Sequence, residues 1–367
     1  MNKKNKKKIL MFMPSIEGGG VEKNLFIVSN FLIKKFNQVT LITISKKYKK
    51  KFNKSINFIS LSSNIWDKLG RRFKYFLAII LLIREIFKNK DLIVFSFQAN
   101  IYCIIVCKIF SVKIVSRSNS APYGWSKNWI KRGIFRFFLN SADKILVNSE
   151  QFKKDLKKEF NVNAVCIYNP LNQVEIKKRA RKKGKKIFNT HNKIKILNIG
   201  RFTDQKDQIT LLKSLNLLKN HINYEAVIIG KGILELELKK YIMENKLNNC
   251  IKIINFVENP YNLIKQTDIF ILSSKYEGLP NVLLESLALK KFIISSDCPT
   301  GPREILVNGR GGLLFKMGNY KELSKKIIYY SKNKKKCNKM LKLSISNLHR
   351  FDYHKNLNKY YNLINSI

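Results

Sequence analysis

Two glutamates, Glu277 and Glu285, are the residues whose types and spacing most clearly suggest chemistry in this chain. Gly278 and Pro280 lie between them and predict a turn that leads from an apolar strand at 268–272 into a helix. The start of a helix presents backbone N–H groups and the positive end of a dipole, which together bind anions. The dipole alone also favours a single glutamate there, so the prediction depends on the pair. The pattern favours a phosphate-bearing ligand whose hydroxyl groups bind to the two carboxylates.

Basic side chains follow a second predicted strand, 194–199. Arg201 comes directly after Gly200, and Lys206 lies five residues further on. An arginine binds a phosphate through two parallel N–H donors, whereas a lysine acts as a point charge. Arg201 and Lys206 can therefore neutralise one diphosphate at the carboxyl end of this strand, where ligands bind in parallel sheets.

Two glycine-rich turns also follow predicted strands. The turn Gly230-Lys231-Gly232 allows a flat base or a phosphate to approach the backbone closely. Neither this turn nor Gly18-Gly19-Gly20 continues as the dinucleotide fingerprint G-x-G-x-x-G, because Glu235 and Lys23 replace the third glycine. An oxidoreductase that transfers hydride therefore loses its main support.

The elements that position these residues alternate between short apolar strands and helices in both halves of the chain, which predicts parallel sheets with crossover helices. Gln98-Ala99-Asn100, Arg117-Ser118-Asn119 and Asn148-Ser149-Glu150 are polar tips after strands of the first half. We expect an N-terminal domain at 1–170, a basic linker at 171–192, a C-terminal domain at 193–345, and a final helix at 346–367 that packs back toward the N-terminal domain. The run 177–186 is predicted to be an extended loop because its charges repel one another. A nucleic-acid patch is the alternative, although no aromatic stacking module accompanies the run.

Length and charge agree with two domains and an anionic partner. The 367 residues, of which 45% are apolar, exceed what one ordinary core accommodates. The formal charge of +47 should attract nucleic acid, anionic lipid or phosphorylated substrates. Residues 1–190 hold 41 basic and ten acidic side chains and residues 191–367 hold 30 and 14, so we expect most of the positive field in the first half.

Cysteine and histidine positions predict neither disulfides nor a zinc site. The six cysteines contain no C-x-x-C pair, and the four histidines do not cluster near them. We therefore expect reduced thiols in a cytosolic protein, and the apolar stretch at 9–16 reads as a first strand rather than a signal sequence.

Two amphipathic stretches suggest contact with a membrane surface. The longest apolar run, 75–83, has nine residues, whereas a spanning helix needs roughly 20. Basic residues and Trp66 flank this run, and the stretch 125–138 mixes aromatic with basic side chains, as helices in a membrane interface do. The alternative for each is a core helix with a solvated basic face. We expect a cytoplasmic protein bound peripherally at the inner face of the cytoplasmic membrane.

Several of these motifs together resemble glycosyltransferase family 4 over nearly the whole chain. They are Gly200-Arg201 with Lys206, the turn at 230–232, Asp268-Ile-Phe-Ile-Leu-Ser-Ser, the Glu277–Glu285 spacing, and Ser296-Asp297-Cys298-Pro299-Thr300-Gly301-Pro302-Arg303-Glu304-Ile305. The resemblance implies the α/β fold called GT-B, in which two Rossmann-like, doubly wound domains face a central cleft. It also implies sugar transfer from a nucleotide diphosphate with retention of configuration, without a metal or other cofactor.

The resemblance also implies roles for individual residues. Arg201 and Lys206 would neutralise the diphosphate. Glu285 would bind the ribose hydroxyls, and Glu277 would hold the donor sugar as a positioning group rather than an acid or base. Further donor contacts would come from Gly19, Gly20, Gly200, Gly230, Lys231, Phe256, Gly278 and Leu279. Many members place a histidine of the first domain near the donor sugar, but this chain has none before His191. Arg117, Asn119 and Asn148 are therefore predicted to contact the donor sugar or acceptor.

The segment 296–305 resembles members that build surface glycans on polyprenyl-diphosphate carriers, often from N-acetylhexosamine donors. We therefore expect a retaining enzyme that transfers a hexose or N-acetylhexosamine from a UDP-sugar to a lipid-linked or growing glycan. Its expected partners are the nucleotide sugar, the lipid-linked saccharide and an anionic membrane surface, and no nucleic acid. One alternative keeps the fold but uses GDP-mannose or another donor. The other is a non-catalytic basic protein that binds membranes or nucleic acid.

Overall fold

The computed structural model describes residues 5–61, 66, 70–119, 128–184, 186–189 and 192–367. Contacts divide the chain into two compact units. Unit 1 comprises Met1–Pro170 and Tyr353–Ile367, and unit 2 comprises Leu171–Asp352.

Unit 1 contains a seven-stranded parallel sheet in the order β3-β2-β1-β4-β5-β6-β7. Its strands are β1 Asn5–Phe12, β2 Phe36–Ile42, β3 Asn57–Ile59, β4 Ile93–Ser96, β5 Lys113–Arg117, β6 Lys144–Val147 and β7 Ala164–Cys166. In the central strand, Met11 pairs with Leu41 on one side and with Phe95 on the other. Strands that are covered on both faces read as continuous apolar runs, as the buried half of β1 does.

Helices cover both faces of this sheet. They are α1 Gly20–Leu32, α2 Arg71–Lys88, α3 Asn100–Ile109, α4 Trp129–Ser141, α5 Glu150–Phe160 and, from the end of the chain, α14 Tyr353–Asn365. Because side chains alternate along a strand, Ile9 and Met11 of β1 pack with α1 and α14, while Leu10 and Phe12 pack on the face covered by α2, α3 and α5. No helix of the described residues is long and apolar enough to cross a bilayer.

Unit 2 contains a six-stranded parallel sheet in the order β10-β9-β8-β11-β12-β13. The strands are β8 Ile194–Ile199, β9 Tyr224–Ile229, β10 Ile251–Ile254, β11 Ile269–Leu272, β12 Phe292–Ser296 and β13 Leu313–Phe315. The helices are α6 Gln173–Ala180, α7 Gln208–Leu218, α8 Glu235–Glu244, α9 Tyr261–Lys265, α10 Asn281–Ala288, α11 Pro302–Ile305, α12 Tyr320–Lys332 and α13 Lys334–Ser346, with short 3₁₀ turns at Asp204–Lys206 and Asn347–Phe351. In both sheets the first strand lies between the second and the fourth, as in doubly wound folds.

The prediction of an extended loop at 177–186 is wrong over 177–180, because these residues belong to the helix α6, Gln173–Ala180. Ile176 and Ala180 are both buried and lie one helical turn apart. The Asn172 side chain caps the helix by accepting a hydrogen bond from the Glu175 N–H at 3.0 Å. Burial on one face and this cap outweigh the repulsion between the basic side chains.

The end of the chain forms separate elements rather than the single final helix predicted at 346–367. Helix α13 and the 3₁₀ turn that follows it belong to unit 2, and the final helix begins at Tyr353. In α14, Leu357, Tyr360 and Ile364 are fully buried in the core of unit 1. Their spacing of three and four residues gives α14 its apolar face.

Candidate active site

The predicted residues of unit 2 lie in loops that follow neighbouring parallel strands. The loops after β8, β9, β11 and β12 begin at residues 200, 230, 273 and 297, and all leave the same edge of the sheet. This edge, formed by the carboxyl ends of the strands, is where open α/β sheets bind ligands.

Glu277 and Lys206 form an ion pair in these loops. The Lys206 Nζ atom lies 2.5 Å from Oε1 of Glu277, and the Ser274 hydroxyl donates a hydrogen bond of 2.7 Å to the same oxygen. The two charged side chains are only 19% and 8% exposed, so solvent screens their attraction weakly. The structure thus brings together Lys206, which is predicted to bind the diphosphate, and Glu277, which is predicted to bind the donor sugar. The two residues are 71 positions apart in the sequence.

Hydrogen bonds to main-chain carbonyls hold the loop of Lys206 against the loop of Glu277. The Ser273 hydroxyl donates to the Lys206 carbonyl at 2.9 Å, and the Lys275 N–H donates to the Gln205 carbonyl at 2.8 Å. The Gln205 amide donates to the carbonyl of Tyr276 at 3.0 Å. The position of Lys206 is therefore set by main-chain geometry as well as by charge.

Thr300 links the loop after β12 to the turn at Glu277 and Gly278 by hydrogen bonds. Its hydroxyl donates to the carbonyl of Glu277 at 2.6 Å and lies 3.2 Å from that of Gly278. Its φ is +62°, a conformation that β-branched residues rarely adopt. Gly301 has a φ of +73°, and a Cβ there would lie 2.1 Å from the Gly278 carbonyl oxygen. The sequence reasoning missed Ser274 and Thr300, although both lie within motifs that it quoted.

Cys298 is buried in the loop after β12, and its thiol is unreactive. Burial raises the pKa of its thiol to about 12, and the nearby Glu277 carboxylate contributes to the rise. Because the thiolate is the reactive form, Cys298 does not act as a nucleophile at neutral pH.

Glu285 lies one turn inside α10 and is 6% exposed. Pro280 is the N-cap of this helix and provides no side-chain hydrogen bond, so no capping side chain offsets the positive end of the dipole.

Arg201 is exposed in the loop after β8. Lys231 is also exposed, and its Nζ atom lies 5.9 Å from the centre of the half-exposed Phe256 ring.

Packing within the chain explains the glycines of the 230–232 turn. A Cβ at Gly230 would lie 1.9 Å from the carbonyl oxygen of Gly200, and one at Gly232 would lie 2.3 Å from that of Phe202. The Phe202 N–H also donates to the Lys231 carbonyl at 2.9 Å. The neighbouring loop itself therefore requires these glycines, which is a reason separate from the predicted approach of a ligand.

The predicted glycines of unit 1 form the start of α1. Gly19 is the N-cap, and its N–H donates to Oε2 of Glu22 at 2.9 Å. A Cβ at Gly19 would lie 2.8 Å from that oxygen. Glu22 therefore places a carboxylate against the helix N-terminus where Gly19 and Gly20 are predicted to contact the donor.

Arg117 lies inside unit 1 rather than at a surface. Its guanidinium is fully buried, donates to Asn169 Oδ1 at 2.8 Å and to Asn119 Oδ1, and lies 5.3 Å from the Phe97 ring centre. This burial contradicts the prediction that Arg117 contacts the donor sugar or the acceptor. The Asn119 amide donates to the Phe97 carbonyl at 2.8 Å. Asn148 is buried, and its Oδ1 atom has no hydrogen-bond partner among the described residues.

The part of the chain that the structure describes contains no group of three or more His, Cys, Asp or Glu side chains arranged to hold a metal ion.

Two family models match the chain in succession. Residues 18–173 match the model for Glycosyltransferase Family 4, and residues 179–345 match the model for glycosyl transferases group 1. Each unit thus carries the pattern of such an enzyme.

Individual relatives agree with these matches. An uncharacterized glycosyltransferase of Methanocaldococcus jannaschii is 31% identical over 253 residues, which cover 62% of this chain and 60% of that protein. The N-acetylgalactosamine-N,N'-diacetylbacillosaminyl-diphospho-undecaprenol 4-alpha-N-acetylgalactosaminyltransferase of Campylobacter jejuni is 26% identical over 328 residues, 85% of this chain and 87% of that one.

A solved structure shows the same fold. The complex of HepE from Anabaena with UDP superposes with a TM-score of 0.76 and covers 98% of this chain and all of that chain, at 15% identity. The two Rossmann-like units and this likeness confirm the predicted GT-B fold. The chain therefore belongs to glycosyltransferase family 4 and is a glycosyltransferase.

Proposed function

We propose that this protein is a retaining enzyme that transfers a hexose or N-acetylhexosamine from a UDP-sugar to a lipid-linked or growing surface glycan. The observation that carries the proposal is the contact between Lys206 and Glu277 at the strand edge that also bears Glu285. Such a site offers a cation for the diphosphate and carboxylates for the hydroxyl groups of the ribose and of the transferred sugar, which lie on either side of the diphosphate.

In this proposal catalysis is mainly electrostatic. Arg201 and Lys206 stabilise the negative charge that develops on the diphosphate as it leaves. Glu285 accepts hydrogen bonds from the ribose, and Glu277 holds the donor sugar. Because Lys206 and Ser274 already engage Glu277, this carboxylate positions the sugar rather than abstracting a proton. The leaving phosphate takes the proton of the acceptor hydroxyl on the same face of the sugar, which gives retention and needs neither a protein base nor a metal.

The names of two similar proteins support the substrate classes. The Campylobacter relative is named for N-acetylgalactosaminyl transfer to a diphospho-undecaprenol saccharide, and the Anabaena structure contains UDP. GDP-mannose or another donor on the same fold is the alternative, and donor competition separates the two.

Turnover of site variants tests the proposal. Arg201→Ala and Glu285→Ala should each lower sugar transfer from UDP-sugar to an undecaprenyl-diphosphate saccharide by at least ~10²-fold, the loss expected for a preorganised charged contact. Glu237→Ala, an exposed glutamate of α8, is the control and should leave turnover unchanged. Wild-type product of inverted configuration, or near-normal turnover in both site variants, would contradict the proposal.

We also propose that the enzyme lies on the cytoplasmic side of an anionic membrane, held there by helices of unit 1. Among the described residues, ten of the nineteen exposed large apolar side chains lie on α2, α3 and α4. These helices contact one another in the order α2, α3, α4 and carry nine basic side chains and one acidic. Exposed aromatic rings among basic residues are typical of surfaces that insert into anionic lipid. Residues 125–127 of the predicted second stretch lie outside the described residues.

A further inference from the structure

The ion pair at the strand edge has a consequence for which nucleotides the site accepts. Lys206 Nζ is 2.5 Å from Oε1 of Glu277, and both side chains are largely buried. A diphosphate that binds to Lys206 therefore comes within a few ångströms of a carboxylate in a poorly screened environment, where charges act strongly on one another.

The carboxylate cannot easily move away from this position. The Ser274 hydroxyl donates a hydrogen bond to Oε1 of Glu277, and the Thr300 hydroxyl donates one to the main-chain carbonyl of Glu277. The backbone bond from Lys275 to Gln205 holds the loops of Glu277 and Lys206 together. Glu277 therefore remains beside Lys206 while a ligand is bound.

We infer that Glu277 makes the site favour the donor that carries its sugar over the free nucleoside diphosphate, an inference that rests on the proposed function. The terminal phosphate of a free nucleoside diphosphate has a second ionisation near pH 6, so at neutral pH it carries about one more negative charge than the same phosphate esterified to a sugar. That extra charge faces the carboxylate and is repelled. The hydroxyl groups of an attached sugar instead donate hydrogen bonds to the carboxylate.

The same group thus weakens the binding of the nucleotide product and strengthens that of the substrate. After transfer, the newly exposed phosphate charge lies against Glu277, which favours release of the nucleotide. Lys206 is only partly available to that phosphate, because Glu277 competes for it.

Calorimetric titration in a chelator-containing buffer tests the inference. The ligands are UDP and whichever of UDP-glucose, UDP-galactose and their N-acetylamino counterparts the wild type binds most tightly. Glu277→Gln keeps the size of the side chain but removes its charge. We expect this variant to bind UDP at least about tenfold more tightly and the UDP-sugar no more tightly than the wild type does.

Glu285→Gln is the matched control, because this glutamate is equally buried and lies in α10, the helix that follows the loop of Glu277. The ribose that it is proposed to bind is common to both ligands, so their affinities should fall by the same factor. A ratio of UDP to UDP-sugar affinity that is the same in Glu277→Gln and the wild type would overturn the inference and leave the proposed donor standing. A wild type that binds neither UDP nor any UDP-sugar would overturn the proposed donor, and the inference with it.

A second pair of variants keeps the test independent of the folding of Glu277→Gln. Lys206→Gln leaves the carboxylate without its cation, and we expect a large loss of UDP affinity. The double variant Lys206→Gln/Glu277→Gln has no unpaired charge and should bind UDP at least about tenfold more tightly than Lys206→Gln. Equal UDP affinities in these two proteins would also overturn the inference.

Discussion

At the scale of single residues, the contacts around Glu277 separate what a sequence can predict from what it cannot. Lys206 and Glu277 could be named from residue type and resemblance, and they are in contact. Thr300 could not be assigned its role, because β-branched residues are normally excluded from positive φ, and only the fold reveals that its hydroxyl lies between two carbonyls. Arg117 was misplaced for a related reason. A sequence does not show that two asparagines will accept hydrogen bonds from a buried guanidinium.

Thr300 gives a prediction for stability. Thr300→Val places a methyl group where a hydroxyl bonds to the carbonyls of Glu277 and Gly278, and leaving such groups unsatisfied costs about 1–3 kcal/mol. The thermal midpoint of unit 2 should fall by roughly 2–4 °C per kcal/mol. Thr300→Ser keeps the hydroxyl and should melt close to the wild type in differential scanning calorimetry. Equal midpoints for the valine variant and the wild type would show that the bond contributes nothing.

At the scale of elements, the strands and helices with clear apolar patterns were predictable. Strand β8 was placed correctly at 194–199, and α10 begins at Asn281 where the turn after Glu277 predicted it. Strands β3 and β7 are too short to show a period of two, and α3 begins at Asn100, the last residue of the polar tip at 98–100. Helix α6 could not be recognised from the sequence, because its two buried positions, Ile176 and Ala180, are separated by charged residues.

The exposed face of α2, α3 and α4 gives a prediction about lipid binding. Phe76 and Phe137 are 62% and 69% exposed, and each follows three basic residues of its own helix. Phe76→Ser combined with Phe137→Ser should reduce co-flotation with vesicles that contain anionic lipid, because inserted aromatic area is lost. Leu236→Ser, at an 81% exposed leucine of unit 2, is the control and should float as the wild type does. Wild-type protein that shows no preference for anionic over neutral vesicles would contradict the proposed membrane contact.

At the scale of the whole molecule, the alternation of strands and helices predicted two α/β units, and the structure has them. The distribution of charge was less predictable. Divided by unit, the chain has 35 basic and nine acidic side chains in unit 1 and 36 and 15 in unit 2. The expected excess in the first half largely disappears, because the basic run at 177–186 belongs to unit 2. A positive field of this size on each unit suits anionic ligands generally and selects none of them.

Selection among nucleotides is therefore the most direct test of the central claim, that unit 2 binds a UDP-sugar through the Glu277–Glu285 segment. The measurement is the thermal midpoint of the whole protein with UDP, GDP and their sugars, for the wild type and for Glu285→Gln. At a hundred times its dissociation constant, a specific ligand stabilises a protein by about 2.7 kcal/mol. We expect UDP and a UDP-sugar to raise the wild-type midpoint, GDP to leave it unchanged, and the shift to shrink in Glu285→Gln. A shift with GDP alone, no shift with any nucleotide, or an undiminished UDP shift in the variant would contradict the account.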